Sequence, residues 1–270
     1  MLAHGFTQTA RSWDTVATLL AARLPLLDIV AVDMPGHATT TATVVDVDVE
    51  VDRSPDLDLW QSADRLTQIG GRATYVGYSM GGRVALHAAL ADRRDGARHV
   101  ERLILIGVTA GIDDPAERAE RRRADDQLAD RIEAIGVDAF VEEWLATPLF
   151  ARLTPANDQR DDRRRNTAAG LASSLRATGT GTQVPLWDRL GEIEVPVLVL
   201  VGEEDPKFRT LGERLVSGLP RAELEVIAGA GHSVHLEAPT DTVDAIVRWM
   251  RDQDTDQDGT DREPEGRRTN

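Results

Sequence analysis

The chain has no cysteine among its 270 residues, and this absence limits its chemistry. Disulfides, thiolate metal ligands and a thiol nucleophile are excluded, so any side-chain nucleophile is an oxygen or a nitrogen atom. The sequence also lacks a run of about 18 apolar residues, the length that spans a membrane, and its first residues do not have the pattern of a secretion signal. We therefore expect a soluble, cytoplasmic protein.

Lysine is almost absent as well. Lys207 is the single lysine, so arginine supplies 30 of the 31 basic residues, and the net charge is −15. A surface with this acidic excess is typical of halophilic proteins, which work in concentrated salt. Its field repels phosphate, which argues against nucleic acid as a partner and disfavours a membrane surface.

Short apolar runs alternate with stretches of helical period, which predicts an α/β fold with a mostly parallel sheet flanked by helices. Strands are predicted at Asp28–Val32, Ala73–Val76, Arg102–Ile106, Val197–Val201 and Leu224–Ile227. Helices are predicted at Ser12–Leu24, Ser79–Leu90, Leu211–Gly218 and Thr240–Arg251. The region from 112 to about 190 has no convincing strand and predicts a helical cap inserted between two strands. We expect one domain over residues 1–251.

Two segments have the composition of poorly ordered chain. Residues 39–58 alternate valine with acid, and residues 252–270 form an acidic tail that we expect to be disordered. Alternation is also a strand signal, so the first segment is either a solvated loop or a short edge strand. We assign no function to either segment.

The strongest local pattern is Gly77-Tyr78-Ser79-Met80-Gly81, which lies between a predicted strand and a predicted helix. It matches the G-x-S-x-G nucleophile elbow of the α/β-hydrolase fold, in which glycines allow a sharp turn that exposes the serine hydroxyl. The alternative is a glycine-lined turn without chemistry, which this context disfavours. Ser79 is therefore the predicted nucleophile.

A serine nucleophile needs a base, and the base needs an orienting carboxylate. Of the six histidines, His232 has the best setting, in a glycine-rich loop after the last predicted strand. Asp205 follows an apolar predicted strand, at the carboxyl end where such sheets keep their sites. The order serine, aspartate, histidine is that of the α/β hydrolases and predicts a catalytic triad. Glu203 and Glu204 remain alternatives for the carboxylate, and Asp205 could instead cap the helix that begins at Pro206.

Two backbone N–H groups are predicted to stabilise an oxyanion. Met80 opens the helix after the nucleophile, where the positive end of the helix dipole lies. Phe6, in the early loop His4-Gly5-Phe6, is the second predicted donor. We expect His4 and His37 to stabilise the loops that contain them.

No metal site or cofactor site emerges from the sequence. The remaining histidines have no chemical setting and are assigned structural roles: His87, His99 and His235. No pair of histidines has metal-ligand spacing, and the glycine-rich turns lack the lysine of a phosphate-binding loop. We therefore expect neither a metal nor a cofactor.

The sequence as a whole resembles the α/β-hydrolase superfamily and, within it, the 2-succinyl-6-hydroxy-2,4-cyclohexadiene-1-carboxylate synthases of menaquinone biosynthesis. The superfamily resemblance lies in the segments HGF, DMPGH, GYSMGG and GAGH. The narrower resemblance lies in AERAERRRAD (116–125), FVEEWLATPLF (140–150), TGTGTQVPLW (178–187) and GEEDPKF (202–208). Several motifs in one order are harder to obtain by chance than a single motif.

The resemblance implies a lyase that eliminates pyruvate from 2-succinyl-5-enolpyruvyl-6-hydroxy-3-cyclohexene-1-carboxylate without an acyl-enzyme. Ser79, activated by His232, would remove a proton associated with the ring, and the oxyanion donors would hold the developing charge. The partner would be a small polycarboxylate, and nothing in the sequence gives the oligomeric state.

The resemblance also implies the residues that bind this substrate. Arg83, Arg121 and Arg163 would contact its carboxylates, with Tyr78 and Trp144 lining the pocket. Taken alone, the arginines between residues 118 and 123 would be a solvated helix face. The run of arginines at 163–165 permits a shifted alignment, so which of the three faces the pocket stays open.

The chain departs from the family before the HGF loop, where only Met1-Leu2-Ala3 stands. We expect the leading strands of the sheet to be missing and an unprotected edge beside the oxyanion loop. Two rival functions remain: a serine carboxylesterase or carbon–carbon bond hydrolase, and a non-catalytic ligand-binding protein. The cluster of arginines disfavours the first, and the full set of triad residues disfavours the second.

Overall fold

The computed structural model describes residues 1–38 and 56–260. The segment predicted to be a loop or an edge strand, residues 39–58, therefore lies almost entirely outside the described residues. The same holds for residues 261–270 of the predicted tail.

A six-stranded parallel sheet forms the centre of the protein, in the order β2-β1-β3-β4-β5-β6. The strands are β1 (Leu2–Ala3), β2 (Ala31–Val32), β3 (Ala73–Tyr78), β4 (Val100–Ile106), β5 (Val197–Gly202) and β6 (Ala222–Ile227). All six residues of β5 are buried, because helices cover both faces of a parallel sheet. The predicted α/β-hydrolase fold is confirmed.

Helices cover the two faces of the sheet and form a cap at one end. The sheet is flanked by α1 (Asp14–Arg23), α2 (Leu59–Gly70), α3 (Met80–Asp95), α7 (Pro206–Gly218), the short α8 (Val234–Glu237) and α9 (Pro239–Thr260). The cap between β4 and β5 contains α4 (Pro115–Leu145), α5 (Arg160–Arg163) and α6 (Ala168–Thr178). The described part of this region is helical and contains no strand, as the sequence predicts.

Each face of the sheet has its own apolar cluster. On one face, α2, α3 and α7 bury side chains such as Leu66, Val84 and Leu215. On the other, α1 and α9 bury Val16 and Trp249 together with sheet residues. A third, smaller cluster joins α4 to α6 inside the cap. The carboxyl ends of the strands, which point toward the cap, are left free to carry functional residues.

Three sequence-based expectations need correction. Strand β2 covers only the end of the predicted Asp28–Val32. Helix α2 was not predicted, although its amino end has the sequence signal of a capping box, with Asp58 accepting from Gln61 N–H at 2.9 Å. The predicted tail boundary at residue 252 is too early, since α9 continues to Thr260. In this extension, Asp254 accepts a hydrogen bond from Arg102 of β4, a contact between distant residues that the acidic composition of the tail does not reveal.

On the side of the predicted oxyanion loop, the edge of the sheet is β2 and not the strand that leads into the loop. Strand β1 lies inside the sheet, where Leu2 pairs with Ala31 on one side and with Val76 on the other. The amino group of Met1 donates to the carbonyl of Thr74 at 2.9 Å. Two residues therefore suffice to fix the start of the loop that follows, because they pair on both sides.

Candidate active site

The turn between β3 and α3 is a strained elbow centred on Ser79. Its φ of 49° and ψ of −107° are unusual for a residue with a side chain. A Cβ atom at Gly81 would lie 2.3 Å from the carbonyl oxygen of Ala3, and one at Gly77 would lie 2.4 Å from Gly82 Cα. The two glycines are thus required by the close approach of backbone, and the main-chain N–H of Ser79 donates to Ile106 at 2.8 Å.

The imidazole of His232 is held by the carboxylate of Asp205. The distance from His232 Nδ1 to Asp205 Oδ2 is 2.9 Å, and both side chains are buried. The other carboxylate oxygen of Asp205 accepts from the N–H of Phe208 at 3.2 Å, so this residue also caps α7. Of the competing carboxylates, Glu203 instead accepts from Gly229 N–H at 2.9 Å, and both it and Glu204 are exposed.

The ring of His232 lies beside the strand next to Ser79. A Cβ atom at Gly107, the residue after β4, would lie 2.9 Å from Cε1 of this ring. The preceding residue of β4 is Ile106, which accepts from Ser79 N–H, so serine and imidazole sit at the carboxyl ends of neighbouring strands. Phe208 and Tyr78 enclose the ring, with centroid distances of 4.3 and 5.3 Å. The imidazole of His232 therefore lies at the same end of the sheet as the Ser79 elbow.

The oxyanion loop, Gly5–Gln8, passes directly over the elbow. A Cβ atom at Gly5 would lie 3.5 Å from Ser79 Cβ, and the loop is a turn closed by the N–H of Gln8 on the carbonyl of Gly5 at 3.1 Å. Phe6 is the second residue of this turn. The N–H of Met80 is in the first turn of α3, where no intrahelical acceptor exists. Both predicted oxyanion donors thus lie at the elbow.

His4 and His37 hold this loop as neutral groups. His4 accepts from Met34 N–H at 2.9 Å through Nε2 and donates to the Gly5 carbonyl at 2.8 Å through Nδ1. His37 accepts from the N–H of Thr7 at 3.3 Å. Burial lowers the pKa of His4 to about 4 and that of His37 to about 3. Uncharged imidazoles that accept backbone N–H groups fit the loop-stabilising role that the sequence predicts.

The other three histidines take no part in the hydrogen bond between His232 and Asp205. His87 donates to the carbonyl of Arg83 at 2.7 Å, and burial lowers its pKa to about 4. His99 pairs with Asp92 at 2.8 Å. His235 is fully buried and contacts the Tyr78 ring at a centroid distance of 4.3 Å. Burial also lowers the pKa of His235 well below its usual value.

Two of the predicted substrate-binding arginines form one group. Arg83 is buried one turn after Ser79 and donates to the carbonyl of Thr178 at 2.6 Å. Burial lowers its pKa to about 10, and the charge of Arg121 adds to this effect. Arg121 is partly exposed and pairs with the buried carboxylate of Asp125 at 2.7 Å. The carbonyl and the carboxylate fix both guanidinium groups near the first turn of α3.

Arg163 is the most buried of the three consecutive arginines. It has no exposed surface, whereas Arg164 forms surface ion pairs, including one of 2.7 Å to Glu142, and Arg165 is exposed. Its Nε donates to the carbonyl of Asp158 at 2.8 Å and one terminal nitrogen donates to the hydroxyl of Thr7. The other terminal nitrogen, NH2, is buried without a hydrogen-bond partner. Burial lowers the pKa of this guanidinium to about 10.

Aromatic side chains close the space between the elbow and the cap. Trp144 packs against Phe6 with a centroid distance of 5.6 Å, and its indole Nε1 is buried without a partner. Phe150 lies at 5.5 Å from the guanidinium of Arg163 and at 6.5 Å from the His232 ring. The hydroxyl of Tyr78 hydrogen-bonds Ser233 at 2.7 Å, and burial raises the pKa of this phenol. This region therefore combines apolar rings with two buried donors, Trp144 Nε1 and Arg163 NH2, that have no hydrogen-bond partner in the protein.

Sequence reasoning missed several residues that shape this site. They are Thr7, Gln8, Asp125, Asn166, Gln183 and Phe208. Gln8 donates through its Nε2 to His235 and accepts from Gly5 N–H at 3.2 Å, and these bonds fix the conformation of the oxyanion loop. Gln183 accepts from Arg83 at 3.4 Å while its amide nitrogen is buried without a partner. Most of these contacts join residues distant in the chain, so local patterns carry no signal for them.

Within residues 1–38 and 56–260, no three histidine or carboxylate side chains converge as a metal site would require. In the same part of the chain, no helix combines the length and the apolarity of a membrane span.

Comparison with known proteins adds to this geometry. Residues 1–245 match the alpha/beta hydrolase family. A relative from Bacillus subtilis (strain 168), provisionally named 2-succinyl-6-hydroxy-2,4-cyclohexadiene-1-carboxylate synthase, is 36% identical over 87% of this chain and 84% of its own length. The synthase of that name from Salmonella agona (strain SL483) is 31% identical over 92% of each chain.

A solved structure described as MenH from S. aureus has a similar fold. Its TM-score is 0.80 at 28% sequence identity, and the match covers 94% of this chain and 93% of that one. The likeness therefore extends across the sheet and the cap together.

Proposed function

Because the chain belongs to the α/β-hydrolase family, and within it to the family of the 2-succinyl-6-hydroxy-2,4-cyclohexadiene-1-carboxylate synthases, we propose that it catalyses the reaction of that name. The substrate is 2-succinyl-5-enolpyruvyl-6-hydroxy-3-cyclohexene-1-carboxylate, and the products are the cyclohexadiene and pyruvate. The observation that carries the proposal is the buried Arg163, whose free NH2 group lies in the same aromatic enclosure as His232. A site for neutral esters has no need of such a cation.

The proposed catalytic groups are Ser79, His232 and Asp205. Asp205 fixes the imidazole through the 2.9 Å bond to Nδ1, so that Nε2 takes the hydroxyl proton of the serine. The serine oxygen then removes the proton from C2 of the ring, as the change from a 3-ene to a 2,4-diene requires. The electron pair of that C–H bond forms the C2–C3 double bond, and the existing C3–C4 double bond moves to C4–C5. The C–O bond to the enolpyruvyl group breaks, and the imidazolium returns its proton to the leaving group. Atoms and charge balance without water and without an acyl-enzyme.

The oxyanion donors in this proposal are the N–H groups of Phe6 and Met80. Donors that the fold already holds in place would stabilise the negative charge that develops during the elimination, because they need no reorganisation. The strained conformation of Ser79 supports this role, since strain of this kind persists where the structure holds a side chain for use.

Substrate recognition is proposed to depend on Arg83, Arg121 and Arg163, with Tyr78 and Trp144 lining the pocket. A protein with net charge −15 repels a polycarboxylate at long range, so local cations are needed to bind it. Two buried guanidinium groups, each with a pKa lowered to about 10, hold their charge at neutral pH. A substrate carboxylate that pairs with Arg163 NH2 would also satisfy the one donor of this side chain that lacks a partner.

The test is release of pyruvate from the enzymatically generated substrate, followed with lactate dehydrogenase and NADH in high-salt buffer. The spontaneous rate is subtracted, and Ser79→Ala is the control. We expect release far above background in the unmodified protein and close to background in the variant. A folded protein that does not accelerate the reaction would reject the proposal and make ester hydrolysis the next activity to assay.

A further inference from the structure

Backbone strain in this protein is concentrated at two places. Among the described residues, the non-glycine residues with positive φ are Thr7 (69°), Ala38 (59°), Ser79 (49°) and Gln159 (53°). Ser79 is the elbow. The other three lie where the cap meets the loops that follow β1 and β2. Conformations of this kind persist only where surrounding contacts enforce them, and they cluster at functional sites.

One side chain connects these strained segments. Asn166 follows α5 in the cap and is only 3% exposed. Its amide nitrogen donates to the carbonyl of Thr7 at 2.7 Å and to the carbonyl of Arg163 at 2.8 Å. Its amide oxygen accepts from the N–H of Ala38 at 2.7 Å. Asn166 therefore joins the cap to the oxyanion loop and to the loop after β2, and it holds two of the four strained residues.

Thr7 is the third residue of the oxyanion turn, the position at which positive φ favours glycine. Three different elements fix it. His37 accepts from its N–H, Arg163 donates to its hydroxyl and Asn166 donates to its carbonyl. Asn166 holds the carbonyl side of the Thr7–Gln8 peptide, and the N–H side of the same peptide closes the turn containing Phe6 by donating to the Gly5 carbonyl at 3.1 Å.

The cap lies close against this region, so the contact is part of a packed junction. A Cβ atom at Gly36 would lie 2.5 Å from the carbonyl of Gly170, and one at Gly170 would lie 2.4 Å from the carbonyl of Gly36. The hydroxyl of Thr9 donates to Asp162 at 2.6 Å. The cap is thus docked on both loops, and Asn166 lies at the centre of the docking contact.

We propose that Asn166 is a positioning residue, which holds Thr7 in its left-handed conformation and thereby keeps the oxyanion donor of Phe6 aimed at the Ser79 site. The inference rests on the proposed function for the reaction concerned, but it concerns the geometry of the oxyanion loop for any reaction at Ser79. The cap then contributes to catalysis, because the Asn166 side chain that holds the oxyanion loop belongs to the same cap segment as Arg163.

The test compares three variants in the full-length chain. Asn166→Ala removes all three hydrogen bonds. Asn166→Asp keeps an acceptor for Ala38 but loses both donors. Asn157→Ala is the matched control, because this cap asparagine donates to the carbonyl of Leu236 at 3.2 Å and does not touch the oxyanion loop. Circular dichroism and thermal unfolding establish that each variant is folded.

Two readouts distinguish a role of Asn166 in positioning the oxyanion donor from a role in docking the cap alone. In the pyruvate assay, we expect kcat to fall at least about 10-fold in both Asn166 variants while KM stays within about threefold, since a misplaced oxyanion donor acts on the transition state. The second readout is the rate at which a fluorophosphonate labels Ser79, because the phosphoryl oxygen of the probe needs the same donors. We expect that rate to fall similarly, and Asn157→Ala to change neither.

The outcomes are distinguishable from a failure of the proposed function. If the unmodified protein releases no pyruvate, the proposed reaction is rejected, and the labelling rates alone decide the role of Asn166. Folded Asn166 variants that react with the probe at the unmodified rate would overturn the inference. A normal rate for Asn166→Asp with a slow rate for Asn166→Ala would also overturn it, since the Ala38 contact would then be the one that matters. If Asn166→Ala does not fold, the isosteric Asn166→Asp decides.

Discussion

Replacement of Arg163 by methionine should separate activity from stability. The substitution keeps an apolar stem of similar reach and removes the charge and every donor. If Arg163 NH2 pairs with a substrate carboxylate in the desolvated site, its loss costs about 2–5 kcal/mol of binding in the transition state. We therefore expect kcat/KM to fall by about 30-fold to a few thousand-fold.

The expected change in stability is much smaller, because two contributions oppose each other. Burial lowers the pKa of Arg163 from 12.5 to about 10, which corresponds to a cost of about 3 kcal/mol for keeping the charge in the folded protein. Methionine removes that cost. It also leaves the Asp158 carbonyl and the Thr7 hydroxyl without their donor, at about 1–2 kcal/mol each. We expect the free energy of unfolding to change by less than about 2 kcal/mol.

The neighbouring arginine provides the control. Arg164 forms exposed pairs with Glu142 and Asp161, and exposed pairs contribute about 0–1 kcal/mol. Arg164→Met should therefore leave kcat/KM within about twofold. Pyruvate release and urea unfolding at pH 7 measure the two quantities. Equal activities for the two variants, or an Arg163 variant that loses activity only because it unfolds, would refute the argument that this guanidinium binds substrate.

Three further predictions follow from the same contacts. Asp205→Asn should lower kcat for pyruvate release by about 100- to 10,000-fold, because an amide no longer holds the required imidazole tautomer. Glu203→Gln should retain most activity in the same assay, and the opposite ranking of the two variants would make Glu203 the orienting carboxylate. Gly81→Ala should unfold at a clearly lower temperature in calorimetry, because its Cβ would lie 2.3 Å from the Ala3 carbonyl oxygen. Gly191→Ala is the control and should unfold at the temperature of the unmodified protein, because a Cβ at Gly191 meets nothing within 4 Å. Burial lowers the pKa of His87 to about 4, so below about pH 6.5 the unfolded chain binds this proton while the folded protein does not, and the free energy of unfolding falls as the pH drops from 6.5 toward 4. Between pH 7 and pH 5 this histidine should account for a loss of about 2 kcal/mol, and urea unfolding of His87→Gln at the two pH values should show a loss smaller by that amount. A difference near zero between the variant and the unmodified protein would be evidence against a buried neutral imidazole.

The sequence predicted most of the sheet because parallel strands buried on both faces are continuous apolar runs. The runs at Ala73–Val76 and Val197–Val201 were found within a few residues of β3 and β5. Strand β1 and helix α2 were harder to predict from the sequence. Two residues are too few to show a strand pattern, and they form one only because β2 and β3 pair with them on both sides.

The same division holds for the candidate site. The positions of Ser79 and Asp205 were accessible from sequence because the chemistry of an elbow and of a strand-end carboxylate leaves a local pattern. The sequence could not decide between Arg163, Arg164 and Arg165, since the three have identical side chains in consecutive positions. The packing of α5 against the Gly5–Gln8 loop buries Arg163 completely, whereas Arg164 is partly exposed and Arg165 is exposed, which favours Arg163.

What the sequence alone determined, then, is the fold class and the family, and it supplied the order of the proposed triad residues, because each depends on residue types at short spacing or on the order of motifs along the chain. What the tertiary structure decided is which donors and carboxylates meet. The hydrogen bond between Asn166 and Thr7 spans 159 positions of the chain, and the one between His232 and Asp205 spans 27. Contacts of this kind are set by the packing of the cap and the loops on the sheet, and no local pattern of residues records them.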